Sequence, residues 1–152
     1  MATLLEELDG LVSALNDNKI EYAVCGGLAL TIHGFPRATF DIDILIRAES
    51  LEKAYEIAAK KGYDIRGFDM SFKEKAVEIR RISKIDDDGE VLSLDLLLVT
   101  PKVEDVWETK ETLIWQNRSL WIVSLEGLIK MKTLAGRAKD LNDIDRIENE
   151  ES

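Results

Sequence analysis

The sequence is poor in several things. It has one cysteine, one histidine, two prolines and no apolar run near the ~20 residues that cross a bilayer. A lone Cys25 excludes an intrachain disulfide framework and suits a reducing, cytoplasmic setting. A lone His33 excludes a histidine metal cluster, and beside a glycine it reads as structural. Positive charge is short too: 20 Lys and Arg against 30 Asp and Glu give a net charge of -10. That balance argues against broad electrostatic binding of nucleic acid. It permits a nucleoside triphosphate delivered with Mg²⁺, because carboxylates need the cation. The opening residues MATLLEELDG are acidic and amphipathic and lack a basic n-region, so no signal peptide is expected. No internal repeat, low-complexity block or linker divides the 152 residues. The expectation is one α/β or α+β domain over 1–147, with an acidic, frayed tail at 148–152.

What is present is organised around residues 22–47, YAVCGGLALTIHGFPRATFDIDILIR. A short apolar strand, 22–25, meets Gly26-Gly27; a small helix follows over 28–32, then a loop at Phe35-Pro36. A second strand, 41–47, begins Asp41-Ile42-Asp43. Around this stretch the spacing predicts amphipathic helices at 3–18 and at 50–61, the latter capped by Ser50 and stopped by Gly62. Strands are predicted from 63 to 100, with 76–85 and 91–99 joined by Asp86-Asp87-Asp88-Gly89. A short helix at 103–109, a strand pair at 112–115 and 120–123, a helix from Ser124 to about 135 and a last helix at 138–147 complete the pattern.

Side chains alternate across a strand. In 41–47, Ile42, Ile44 and Ile46 share the core face, and Asp41 and Asp43 project together from the other. In 91–99, Leu92, Leu94, Leu96 and Leu98 are the apolar face and Asp95 stands opposite, a charge in an almost wholly apolar strand that needs a partner. If the two strands are neighbours, three carboxylates converge. An all-oxygen cluster suits Mg²⁺ or Mn²⁺, and two such ions can stabilise both oxygens of an in-line phosphoryl displacement. The plainer alternative is a solvated strand end at Asp41 and Asp43, with Asp95 in a salt bridge to an Arg.

Other residues admit the same two readings. Gly26-Gly27 allows close backbone approach to a ligand at a helix start, or is only a tight strand-to-helix turn. Arg37 and Thr39 precede the aspartates, where they meet phosphate or simply solvent. Lys132 lies on the inward stripe of its helix with Leu125, Leu128 and Ile129, so it either snorkels outward or meets an anion. Lys130 points away. Lys139 and Asp143 follow, and are also a permissible i,i+4 pair. Trp107, Trp115 and Trp121 read as core or interface anchors.

The order strand, Gly26-Gly27, thirteen residues, Asp41-Ile42-Asp43, then a distal Asp95 resembles the nucleotidyltransferase fold of the DNA polymerase beta-like superfamily. Leu128-Ile129-Lys130-Met131-Lys132, followed by Arg137 to Ile144, is similar to the C-terminal signature of the AbiEii-type nucleotidyltransferase toxins and their minimal relatives. The resemblance implies a mixed central sheet flanked by helices. It implies transfer of a nucleoside monophosphate from a nucleoside triphosphate to an acceptor, whether small molecule, protein or RNA. By it, Gly26, Gly27, Arg37, Thr39, Lys132, Lys139 and Asp140 serve the nucleotide. Asp41, Asp43 and Asp95 hold Mg²⁺ or Mn²⁺, with Asp95 nearest the acceptor. The full toxins carry a further helical domain, so acceptor recognition here is expected to be absent or supplied by a partner, a toxin–antitoxin or homo-oligomeric one. A non-catalytic nucleotide-binding or antitoxin-like module on the same fold is the alternative.

Overall fold

The predicted periodicities become real elements through most of the chain. The computed structural model describes residues 3–36, 38–72, 76–136 and 138–151, with side chains for all of these but 138, 139, 150 and 151. The helices are α1 (Leu4–Asp17), α2 (Gly26–Ile32), α3 (Leu51–Lys60), α4 (Glu104–Glu108), α5 (Leu125–Ala135) and α6 (Ala138–Glu151). The strands are β1 (Ala23–Cys25), β2 (Asp41–Ile46), β3 (Ile65–Phe72), β4 (Val77–Ile85), β5 (Val91–Leu98), β6 (Glu111–Trp115) and β7 (Arg118–Ile122). Among the described residues these strands form one mixed sheet in the order β3-β4-β5-β2-β1-β7-β6. The β2–β5 and β1–β7 pairs are parallel and the others antiparallel.

Local chemistry sets the ends of the elements. Thr3 caps α1 by accepting the Glu6 amide at 3.1 Å, and Ser124 caps α5 by accepting the Gly127 amide at 3.0 Å. Gly136 closes α5 in the left-handed region, at φ 64°. In the β4–β5 hairpin, Asp86 Oδ1 accepts the amides of Asp88 and Glu90, both at 2.9 Å. Gln116 and Asn117, with φ of 53° and 64°, turn β6 into β7.

Three expectations need correction. Ser50 makes no side-chain cap to α3; it ends a 3-10 turn, Ala48–Ser50, that already occupies the entry to the helix. The glycines of the opening stretch do not stand before the small helix but form its first turn. The last helix continues past 147 to Glu151, so 148–151 is helical, as a run without Gly or Pro permits.

The isoleucine face of β2 is core as expected: Ile42, Ile44 and Ile46 are all fully buried. They meet Leu94, Leu96 and Leu98 across the β2–β5 pairing, at positions in register. Helix α1 packs on β2 and on α3, and buries Leu8, Leu11, Val12 and Leu15. On the other face, α5 places Leu128, Met131, Lys132 and Ala135 around a cavity shared with Asp41, Asp43 and Asp95. Trp107 is buried in the core, whereas Trp121 is partly exposed.

Burial lifts the phenols of Tyr22, Tyr55 and Tyr63 above the ordinary tyrosine range. For Tyr63 the hydrogen bond its hydroxyl donates to Glu7 Oε1, 2.8 Å, adds to the effect. An unfolded chain ionises these groups near pH ~10, and the folded chain holds their protons beyond that. Their contribution to stability is therefore complete below about pH 10 and is lost as pH rises toward the folded values. Tyrosinate absorbance should stay low in the native protein at about pH 10 and rise with unfolding, while the urea midpoint falls over the same interval. Free titration of all three tyrosines in folded protein would contradict this assignment.

Candidate active site

Four neighbouring strands put one residue each into a single row across the sheet. Cys25 of β1 pairs with Asp43 of β2, Asp43 with Asp95 of β5, and Asp95 with Arg81 of β4. Paired positions share a face, so the row runs thiol, carboxylate, carboxylate, guanidinium on the side of α5. Asp41 lies on the same face two residues before Asp43, opposite Ser93. The carboxylates thus converge as the strand pattern predicts. All three aspartates and Arg81 line one cavity of about 140 Å³.

The alternative partner for Asp95 is present as well. Arg81 forks onto it, with Nε donating to Oδ1 at 2.7 Å and Nη2 to Oδ2 at 2.9 Å. The same Nη2 donates to Asp41 Oδ2 at 3.3 Å. Asp95 is buried and Arg81 keeps a side-chain exposure of 38%. The hydrogen bond to Asp95, then the charges of Asp95, Asp41 and Asp43, push the Arg81 guanidinium further up from its already high value. It stays charged at any pH the fold survives. Nothing in the β4 pattern alone marks Arg81. Hairpin register does: pairing Ile85 with Val91 and counting back puts Arg81 opposite Asp95.

Gly26 is required twice over. Its φ is +68°, and a Cβ there would lie 2.0 Å from Asp43 Oδ2 and 2.7 Å from its Cγ. The backbone of the β1–α2 junction therefore approaches the Asp43 carboxylate more closely than any side chain would permit. Gly27 is buried within α2, where its carbonyl accepts the Thr31 hydroxyl at 3.1 Å. Cys25 is fully buried, and burial, then the Asp43 charge, drive its thiol well above the usual range. It is a packed neighbour of the carboxylates and no nucleophile.

Lys132 does stand on the buried stripe, at 8% exposure. Its anion comes from the protein. Nζ donates to Asp143 Oδ2 at 3.0 Å and lies 3.7 Å from Asp140 Oδ1. Asp140 is 1% exposed and lines the cavity. The Lys-Asp-x-x-Asp segment of α6 thus puts two carboxylates on one helical face, and they grip the lysine of α5. Sequence reading placed Lys132 correctly and missed both partners. Lys130 meets Asp105 of α4 at 2.6 Å. Thr39 donates to the Asp41 carbonyl at 3.4 Å and does not line the cavity. Arg37 and the Lys139 side chain lie outside the described residues. His33 Nε2 donates to the Val123 carbonyl at 2.8 Å, joining the end of α2 to the end of β7.

The donor set suits a hard divalent cation in kind, since it is all carboxylate, and in register. In position it is incomplete. Among the described residues no three His, Cys, Asp or Glu side chains already surround a cation position. The positive charge between Asp95 and Asp41 is the Arg81 guanidinium, a stand-in for a cation at this point.

Three substitutions check the packing of the site. Gly26→Ala should cost about 2–4 kcal/mol in urea unfolding, from strain at positive φ plus overpacking. Adding Asp43→Ala should return part of that loss, because it removes the two nearest clashing atoms; strict additivity of the two changes would refute the contact. Lys132→Met should cost clearly more than about 1 kcal/mol, since it removes the buried cation that Asp143 and Asp140 of α6 face. A loss under about 1 kcal/mol, the range of a surface pair, would mean the lysine does not hold α5 to α6.

Comparison with known proteins reaches the chain through its shape. No protein-family model matches the sequence, and no curated protein matches it. Among solved structures, the candidate nucleotidyltransferase TM1012 of Thermotoga maritima superposes with a TM-score of 0.62 at 17% identity, over 96% of this chain and 92% of that one. The lincosamide antibiotic adenylyltransferase LnuA, bound to lincomycin, gives 0.62 at 16% identity, over 94% and 95%. ANT(2")-Ia in complex with adenylyl-2"-tobramycin gives 0.61 at 14%, over 95% and 87%. The mixed sheet with flanking helices is the nucleotidyltransferase fold.

Proposed function

We propose that this chain is a nucleotidyltransferase that moves a nucleoside monophosphate from a nucleoside triphosphate to an acceptor hydroxyl and releases pyrophosphate. The observation that carries the reading is the in-register pairing of Asp43 with Asp95, with Asp41 on the same face and a cation already drawn between them. Asp41 and Asp43 would hold Mg²⁺ or Mn²⁺, with Asp95 completing the set. Such an ion supplies Lewis-acid neutralisation of the triphosphate and of charge developing in the transition state.

The residues do the rest. Gly26 keeps the backbone low beside Asp43, so that a triphosphate reaching the carboxylate meets no side chain. Asp95, freed from Arg81, takes the proton of the acceptor hydroxyl. The acceptor oxygen bonds to the α-phosphorus, the α–β bridging P–O bond breaks, and pyrophosphate carries away the electron pair. Lys132, braced by Asp140 and Asp143, fixes α5 over the cavity and keeps a positive charge at its wall. In this role it shapes the site, with phosphate contact secondary to its grip on α6. The AbiEii-like resemblance rests on these same α5 and α6 residues.

A small-molecule hydroxyl is the acceptor class we favour. LnuA holds lincomycin and ANT(2")-Ia holds an adenylylated tobramycin, both small molecules, on this fold. The cavity wall is also largely apolar, with Leu45, Leu97, Ile79, Leu128 and Met131. A non-catalytic module is the second reading, favoured by the Arg81 fork that holds Asp95 in this state.

Incubation with each labelled triphosphate, Mg²⁺ and cell extract, fractionated by size, tests the choice. Label should appear in a small-molecule fraction with release of pyrophosphate, and Asp43→Asn should cut transfer at least about a hundredfold, the scale of losing a charge-stabilising group. Nucleotide binding without transfer by the wild type would favour the non-catalytic module.

A further inference from the structure

We propose that Arg81 is a built-in counter-ion of the aspartate site and that a divalent cation enters only by displacing it. The inference rests on the nucleotidyltransferase reading for the cation and on this chain's own contacts for the competition. The fork uses both carboxylate oxygens of Asp95 and reaches Asp41 with the same nitrogen. A hard cation needs lone pairs on those oxygens at about 2.0–2.1 Å, and a guanidinium held on both Asp95 oxygens and one of Asp41 competes for them with a full positive charge of its own. Arg81 cannot yield by losing its proton. It must move.

Its surroundings permit that movement. Asp95 is held at 7% side-chain exposure, but Arg81, which lines the same cavity, keeps 38%. Its neighbour on β3 is Gly67, whose missing Cβ would otherwise touch the Arg81 Cβ and Cγ at 3.5 and 3.6 Å. Gly67 lies where the β3–β4 register shifts, between Arg66 and Asp69. The stem of Arg81 is therefore bordered by backbone without a side chain, at a local irregularity of an edge strand. In the free chain the guanidinium lowers the repulsion among three carboxylates. Once a cation takes over that task, the released fork remains tethered at the cavity wall. Arg81 is thus a positioning residue: it keeps Asp95 and Asp41 oriented until the metal arrives, at the cost of weaker metal binding.

Titration with Mn²⁺ alone, followed by electron paramagnetic resonance of the free ion, tests the competition in the full chain. Arg81→Gln should bind Mn²⁺ roughly tenfold or more tightly than wild type, because a charge-assisted fork no longer has to be broken. Asp43→Asn placed on Arg81→Gln should abolish the gain. In the wild type, the Arg81 Nε–H resonance should shift as Mg²⁺ saturates and should not follow Na⁺ at equal ionic strength. This second measurement stands even if Arg81→Gln fails to fold. Equal or weaker Mn²⁺ affinity in folded Arg81→Gln, or an unmoved Nε–H signal while Mg²⁺ binds, overturns the displacement and leaves the metal reading intact. No Asp43-dependent binding of Mn²⁺ or Mg²⁺ in any form overturns both.

Discussion

The parallel pairing of β2 with β5 is the constraint on which the rest of this structure depends. It sets Asp43 opposite Asp95 and, in the same stroke, Ile44 opposite Leu96 and Ile42 opposite Leu94. A slip by one residue would turn the aspartates into the core and the isoleucines toward the cavity. Burial of the aliphatic face, at roughly 1.5–3 kcal/mol for each fully buried large side chain, therefore also fixes the register of the site. The strand that carries β5 to this place arrives through α3 and the β3–β4 pair, the kind of long crossover a parallel neighbour demands. The β4–β5 hairpin then delivers Arg81 to the same row without any further device.

Placing three carboxylates within one cavity creates a problem of charge that the chain meets from two sides. Arg81 spans Asp95 and Asp41 from the sheet. Lys132 stands over the sheet from α5, and is itself held by Asp140 and Asp143. The two cations differ in what they leave free. Lys132 is buried against two acids of α6, so breaking the pair means separating charges away from water. Arg81 is partly open to solvent, where screening reduces the value of the contact. The buried lysine is thereby suited to holding two helices in place, and the arginine to being exchanged.

Much of this was legible in the strands and little of it in the helices that close over them. Alternation named the faces of β2 and β5 correctly, because a two-residue period has only two outcomes and the isoleucines choose one. The turn Asp86 to Gly89 gave the hairpin, and the cap at Ser124 gave the start of α5. By contrast β3, with Phe68 at 92% exposure, is an edge strand in which nearly every residue is exposed, so no alternation marks it as an individual strand. The partners of Lys132 were hidden for a different reason. A buried lysine announces that it needs an anion, but Asp140 and Asp143 come from another helix, across a break at Gly136, and periodicity within one helix cannot tell an internal anion from a bound phosphate. Arg81 was recoverable in principle, since the hairpin register alone places it, though only after the Asp86–Gly89 turn is trusted to the residue.

This asymmetry also explains how the fold is recognised by shape at 14–17% identity while no sequence comparison finds it. A core strand asks only for an apolar residue at every second position, and Val, Ile and Leu satisfy it interchangeably at small cost. The architecture is thus specified by a pattern that many sequences share and that aligns weakly to any of them. The chemistry of the row is specified differently. It needs a residue without a Cβ at 26, carboxylates at 41, 43 and 95, and a fork at 81, with no tolerance for a neighbouring position. Those few positions lie on three strands and one junction far apart in sequence, so they too contribute little to a linear comparison. They become one object only when the strand order β4-β5-β2-β1 sets them side by side. The geometry of the candidate site is therefore written in register, and it is through register that substitutions at these positions should be interpreted.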